Sequence, residues 1–147
     1  MKCITLWVLL PFLLLGSLLA NIYIHEYGHF VVADHYELEP EMHFEAITFD
    51  SNSKLNFYSP AAYTSYSSHG YALTSQDMSI AFAGPLFNLF FALFVCGLYL
   101  AIPKKRRTFW LQAVFAVLAI PAFASFAINM MPLGYSDGAI ILSALLG

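Results

Sequence analysis

His25 and His29 stand four residues apart with Glu26 directly after the first of them, in the string His25-Glu26-Tyr27-Gly28-His29. On an α-helix, positions i and i+4 lie on one face, so two imidazoles at this spacing converge on one metal ion. Glu26 sits about 100° around the same helix, within reach of a water activated by that ion. Zinc lowers the pKa of such a water to about 7, and a neighbouring carboxylate can take its proton as a carbonyl is attacked. The pattern therefore points to hydrolysis of an amide bond, with His25 and His29 as metal ligands and Glu26 as general base. It still needs a third ligand.

The elements that must position these residues are apolar. Hydrophobic residues make up 60% of the 147, charged residues only 10%, and mean hydropathy is +0.70, beyond what a soluble domain of this length shows. The composition predicts an all-α polytopic membrane protein, a single domain over 1–147. Its apolar runs predict spans at about 4–32, 78–102 and 108–131, each long enough to cross about 30 Å of hydrocarbon. The tail, 132–147, is too short to span and predicts a short half-helix.

The connection 33–77 carries seven acidic residues and one lysine. Within it, 42–58 alternates around Asp50-Ser51-Asn52-Ser53, which predicts a small β-hairpin. The Ser/Tyr-rich run 59–70 has no apolar period and predicts an irregular loop. Net charge is −3, so nucleic acid is not an expected partner, whereas the lipid bilayer is. Cys3 and Cys96 show no ligand spacing. Lys2 and Ala20 fit a cleaved leader loosely, but Leu18 suits the −3 position poorly, and the first span is expected to be retained.

If the spans alternate in direction, the zinc motif, Gly84-Pro85 with Asn88, and the group Asn129, Pro132 and Asp137 all fall at one membrane level. Counted from Arg107, Asp137 would lie about 45 Å along an unbroken helix, too deep to meet His25. Pro132 and Gly134 predict a break that turns Asp137 back toward the metal, and irregular backbone at this depth is tolerated where it lines a cavity. Asp137 could instead be the N-cap of the tail. Asn88 and Asn129 suit either interhelical hydrogen bonding or a hold on substrate backbone or oxyanion. Gly28 and Gly84 predict close helix approach, and His43 and His69 read as solvated loop residues. His35 follows His25 at the spacing of a metzincin third ligand, but Val32 stands where that motif needs Gly for its turn, so His35 is not expected to bind metal.

The stretch Ile24-His25-Glu26-Tyr27-Gly28-His29-Phe30-Val31-Val32-Ala33 resembles the HExGHxxxA signature of the site-2 protease family of intramembrane zinc metalloproteases, peptidase M50 type. Ala83-Gly84-Pro85-Leu86-Phe87-Asn88 resembles its AGPxxN element, and Asn129-Met130-Met131-Pro132 through Asp137-Gly138 its NxxPxxxxDG element. The resemblance implies Zn2+ as cofactor, Asp137 as third ligand, Glu26 as base, and Asn88 and Asn129 near the substrate. The family often has Leu before the DG pair and Gly-His after it, where this chain has Ser136 and Ala139-Ile140.

The function expected on these grounds is zinc-dependent cleavage of a transmembrane segment of another membrane-embedded protein. The alternative is a proteolytically silent homologue acting as a membrane binding or chaperone partner, although a chain released from catalysis has no physical need for Glu26. A partner subunit or homo-oligomer is compatible with so short a chain. Lys104-Lys105-Arg106-Arg107 and Lys2 should face the cytoplasm under the positive-inside rule, which places the acidic connection outside. The resemblance implies the opposite orientation, with the metal nearer the cytosol.

Overall fold

The computed structural model describes residues 2–44, 47–49, 55–57, 62–67 and 75–146. Helix α1 runs Lys2–His35, α2 Ser75–Ala101, α3 Phe109–Asn129 and α4 Asp137–Leu146. Three stretches, Trp7–His35, Ser75–Ala101 and Phe109–Asn129, are long and apolar enough to cross a membrane, close to the three predicted spans. Pro11, Pro85 and Pro121 lie inside α1, α2 and α3, as apolar bundles tolerate when neighbouring groups satisfy the freed carbonyls.

Contacts along the helices set their directions. Trp7 meets Trp110 edge-on at 5.1 Å and the Ser17 hydroxyl donates to the Val117 carbonyl at 2.9 Å, so α1 and α3 run parallel. Asn88 on α2 faces both His25 on α1 and Ser125 on α3, and Tyr99 packs on Phe115, so α2 runs against both. Helix α2 is the centre: 44% of its apolar window is buried, against 11% for α1 and for α3. Most large side chains on the outer faces, such as Phe12, Phe90, Phe94 and Ile120, are exposed, the surface expected where lipid is the solvent.

Four short strands lie between α1 and α2: β1 Glu41–Phe44, β2 Ile47–Phe49, β3 Leu55–Phe57 and β4 Ala62–Ser65. Strands β2 and β3 pair antiparallel, Ile47 opposite Phe57 and Phe49 opposite Leu55, which is the predicted hairpin; its turn, 50–54, lies outside the described residues. The expected irregular loop at 59–70 is corrected in part. Its residues 62–65 form β4, paired with β1 in the register Met42 to Thr64 and His43 to Tyr63. Pairing partners twenty residues away supply the order that the local pattern of 59–70 does not show. His43 therefore sits on a strand, stacked on Tyr63 at 4.7 Å and bonded to the Ser65 hydroxyl at 2.9 Å. His69 lies outside the described residues.

The exit from α1 is strained. Glu37 and Glu39 take φ of 59° and 49°, each costing about 1–2 kcal/mol in a residue with a Cβ. Between them Leu38 is buried against Ala33 and Ile80, with Tyr36 and Tyr66 around it, and its carbonyl accepts from Ser67 N–H at 2.9 Å. Burial of Leu38 offsets the strain and anchors the ribbon of β1 and β4 to the helices.

Candidate metal centre

Helix α3 stops at Asn129, and residues 130–136 carry the chain back so that α4 packs against α2. Gly134 takes φ +57° in this turn, a conformation that favours glycine. A Cβ at Gly138 would strike the backbone of Met130 and Met131, so the start of α4 can press against the end of α3 only with glycine there. The cap of α4 is Ser136: its hydroxyl accepts from Ala139 N–H at 3.3 Å and from Leu133 N–H at 3.1 Å, and donates to the Met131 carbonyl. The serine that departs from the family pattern thus takes the capping role. The Asp137 carboxylate is left to turn inward.

There the structure brings His25, His29 and Asp137 together, with one donor atom from each inside a mutual 4.8 Å. His25 Nε2 lies 3.1 Å from His29 Nε2 and 3.0 Å from Asp137 Oδ2, and His29 Nε2 lies 3.4 Å from Asp137 Oδ1. All three side chains are close to nine-tenths buried. His29 Nδ1 donates to the Ile80 carbonyl at 2.7 Å. A carbonyl can only accept, so His29 carries its proton on Nδ1 and presents a lone pair at Nε2.

Asp137 Oδ2 is buried and accepts no well-formed hydrogen bond even at 3.0 Å from His25 Nε2. Two ring nitrogens and a carboxylate thus converge on one point, and a cation held there would satisfy all three. Two nitrogens and one oxygen suit zinc, and a tetrahedral ion with bonds of about 2.0–2.1 Å would hold its ligand atoms about 3.3 Å apart. The observed spacings of 3.0–3.4 Å fit that ion.

The helices meet tightly at this point. A Cβ on Gly84 would occupy the space of the His29 ring at Nε2, and one on Gly28 would meet the Ala83 carbonyl oxygen at 2.7 Å. Both glycines of the sequence motifs therefore serve close approach of α1 and α2.

Glu26 is 7% exposed. The Thr64 hydroxyl on β4 lies 2.9 Å from its Oε2 and 3.0 Å from its backbone oxygen, sharing one proton between the two. Glu26, His25, His29 and Asp137 line one pocket of about 340 Å3, together with Tyr66 and Asn129. The Tyr66 phenol donates to Asp77 Oδ1 at 3.1 Å. Burial first, then the Asp77 carboxylate with that hydrogen bond, push its pKa up to about 12.

The two asparagines part company. Asn129 lines the pocket and donates back to the Ser125 carbonyl at 3.0 Å. Asn88 is fully buried; its carboxamide lies 3.3 Å from His25 Nδ1 and 2.7 Å from Ser125 Oγ, and it does not line the pocket. The His35 ring lies tilted against Tyr36 at 5.6 Å instead, and His35 is not in the cluster. Sequence reasoning missed Ser125, Ser136, Thr64 and Tyr66. Ser125 was recoverable, being one helical turn before Asn129, and Ser136 stands before an apolar run as caps do; no local signal marks Thr64 or Tyr66.

The family described as Peptidase family M50 matches residues 13–105, 93 of the 147. The match covers His25, Glu26, His29 and Asn88 and ends before α3. Comparisons with curated proteins and with solved structures gave no match. Matched over more than half its length, the chain belongs to this family of proteases.

Proposed function

We propose that this M50 chain is a multi-pass integral membrane endopeptidase that uses Zn2+ to cleave transmembrane segments of other proteins. The observation that carries the reading is the convergence of His25, His29 and Asp137, one turn from a buried Glu26, among three helices apolar enough to span a bilayer.

His25, His29 and Asp137 would hold the ion. Bound there, zinc supplies Lewis acidity that lowers the pKa of water and polarises the scissile carbonyl. Glu26 takes the proton released as water attacks and returns it to the departing amine nitrogen. Thr64 holds one oxygen of that carboxylate, which orients the other for transfer. Asn129, at the pocket wall, is the carboxamide placed to bind the substrate backbone or its developing oxyanion.

Asn88 acts through His25. Rotating its amide by half a turn would set Oδ1 to accept from His25 Nδ1–H, leaving Nε2 with the lone pair a metal needs. In the present rotamer Asn88 Nδ2 donates to Ser125 Oγ at 2.7 Å; after the turn the Ser125 hydroxyl would instead donate to Oδ1. A helical substrate must unwind to expose its carbonyl, and β4, beside Glu26, offers an edge for pairing with the extended strand.

The experiment is zinc content by elemental analysis, together with cleavage of a helical membrane substrate in detergent or vesicles. Wild type and Glu26→Gln should each carry one zinc per chain and Asp137→Ala none. Cleavage should fall by about 10²–10⁴-fold in Glu26→Gln. An active Glu26→Gln protein would remove Glu26 from the base role, and a zinc-loaded but inert wild type would point to the silent homologue.

A further inference from the structure

At the end of the bundle away from the metal centre, an apolar groove of about 530 Å3 runs between the second half of α2 and the first half of α3. Val95, Cys96 and Tyr99 form one wall, and Phe115, Ala116 and Ala119 the other. The two alanines make the groove by what they lack, since their neighbours on both helices are large.

Helix α2 ends at Ala101 and α3 begins at Phe109, so the groove opens onto the connection between them. That connection is Lys104-Lys105-Arg106-Arg107, which holds four of the chain's six cations. Lys104, Lys105 and Arg106 form a 3₁₀ turn and are all exposed. With three residues per turn, such a helix fans successive side chains around its axis. Arg107 is fixed: its Nε and Nη2 donate to the Ile102 and Leu100 carbonyls, each at 2.9 Å, and its guanidinium lies 4.8 Å over the Tyr99 ring. Because Tyr99 lines the groove, Arg107 sits on its lip.

Among the described residues, no carboxylate pairs with Lys104, Lys105 or Arg106. In sequence the acidic residues fall at 26–77 and at 137, none of them between α2 and α3. The contact of Trp7 with Trp110 brings the start of α1, with Lys2, to this same end. Arg107 alone would suffice to cap the last carbonyls of α2. That role accounts neither for three further exposed cations nor for an apolar groove beneath them.

We infer that the α2–α3 groove and its basic turn bind one anionic phospholipid, the acyl chain against Ala116 and Ala119 and the phosphate among Lys104, Lys105 and Arg106. The groove supplies affinity for any tail, and the turn selects headgroup charge. Each cation close to an anionic headgroup contributes on the order of fivefold in binding.

The chain supplies its own reporter, since its two tryptophans are Trp7 and Trp110 and Trp7→Phe leaves one, at the start of α3. The full-length Trp7→Phe protein is reconstituted in phosphatidylcholine vesicles containing either dibrominated phosphatidylglycerol or, separately, dibrominated phosphatidylcholine. Brominated phosphatidylglycerol should quench Trp110 at a several-fold lower mole fraction than brominated phosphatidylcholine. The combined variant Lys104→Gln, Lys105→Gln and Arg106→Gln should bring the two curves together. Ala116→Phe, which fills the groove and spares the cations, should also reduce quenching by phosphatidylglycerol.

Equal quenching by the two lipids in the parent would overturn the inference. So would a phosphatidylglycerol preference untouched by Ala116→Phe, which would leave only diffuse surface attraction. The exposed charge variant touches no packing and keeps the test decisive if the groove variant does not fold. Neither result depends on zinc or on proteolysis.

Discussion

Alanine at position 28 would place a methyl carbon 2.7 Å from the Ala83 carbonyl oxygen and 3.0 Å from both the Ala83 carbonyl carbon and Gly84 Cα. All three atoms are backbone of α2, so no rotamer change relieves the clash. Recovering an ordinary contact of 3.4 Å means parting α1 from α2 by up to 0.7 Å. His25 and His29 ride on α1, while Asp137 belongs to α4, which packs on α2. Parting the helices therefore parts the imidazoles from the carboxylate, and a zinc site built from them would tolerate only about ±0.2 Å.

The expected result for Gly28→Ala is a fall in zinc affinity of at least about 10–100-fold, with an overpacking cost of about 1–3 kcal/mol. Helix propensity returns up to about 1 kcal/mol of that. Gly97→Ala is the control: it lies in α2 with nothing within 4 Å of the added carbon, so it should keep zinc and gain stability. The assay is titration of the metal-free protein with zinc against a competing chelator, with thermal unfolding in the same detergent. Wild-type zinc affinity in Gly28→Ala, with an unfolding temperature matching that of Gly97→Ala, would refute the close-approach argument.

Asn88→Ala should weaken zinc binding by about 10–100-fold, whereas Asn129→Ala should keep zinc and lose turnover. Unchanged zinc affinity in Asn88→Ala with reduced kcat would move that residue to the substrate. Tyr66 is 10.0 in its ordinary state and about 12 in the fold, so the stability it contributes is full below pH 10 and is lost as pH rises toward 12. The gap in unfolding temperature between wild type and Tyr66→Phe should be level below pH 10 and close above it; a gap that ignores pH would refute the coupling to Asp77. Ser136→Ala removes the cap of α4 and should cost about 1 kcal/mol in thermal unfolding, with no change expected for Ser143→Ala near the end of the same helix.

Features that depend on neighbours along the chain are legible in the residues alone. Three apolar runs make three helices long and apolar enough to cross a membrane, the four-residue interval puts His25 and His29 on one face, and Pro132 with Gly134 ends α3 before Asp137. These follow from helical periodicity and from backbone restrictions at proline and glycine, which act within a few residues. Features that depend on groups distant in sequence come from the assembled fold. Strand β4 forms because β1 offers it partners, and only that pairing carries Thr64 to Glu26. His29 takes its tautomer from the Ile80 carbonyl, a backbone atom with no residue identity to read. Asn88 and Asn129 are the same residue type one helix apart. One faces His25 and the other the pocket because the packing of α2 against α1 and α3 sets the rotation of each helix, and rotation is a property of the assembled bundle.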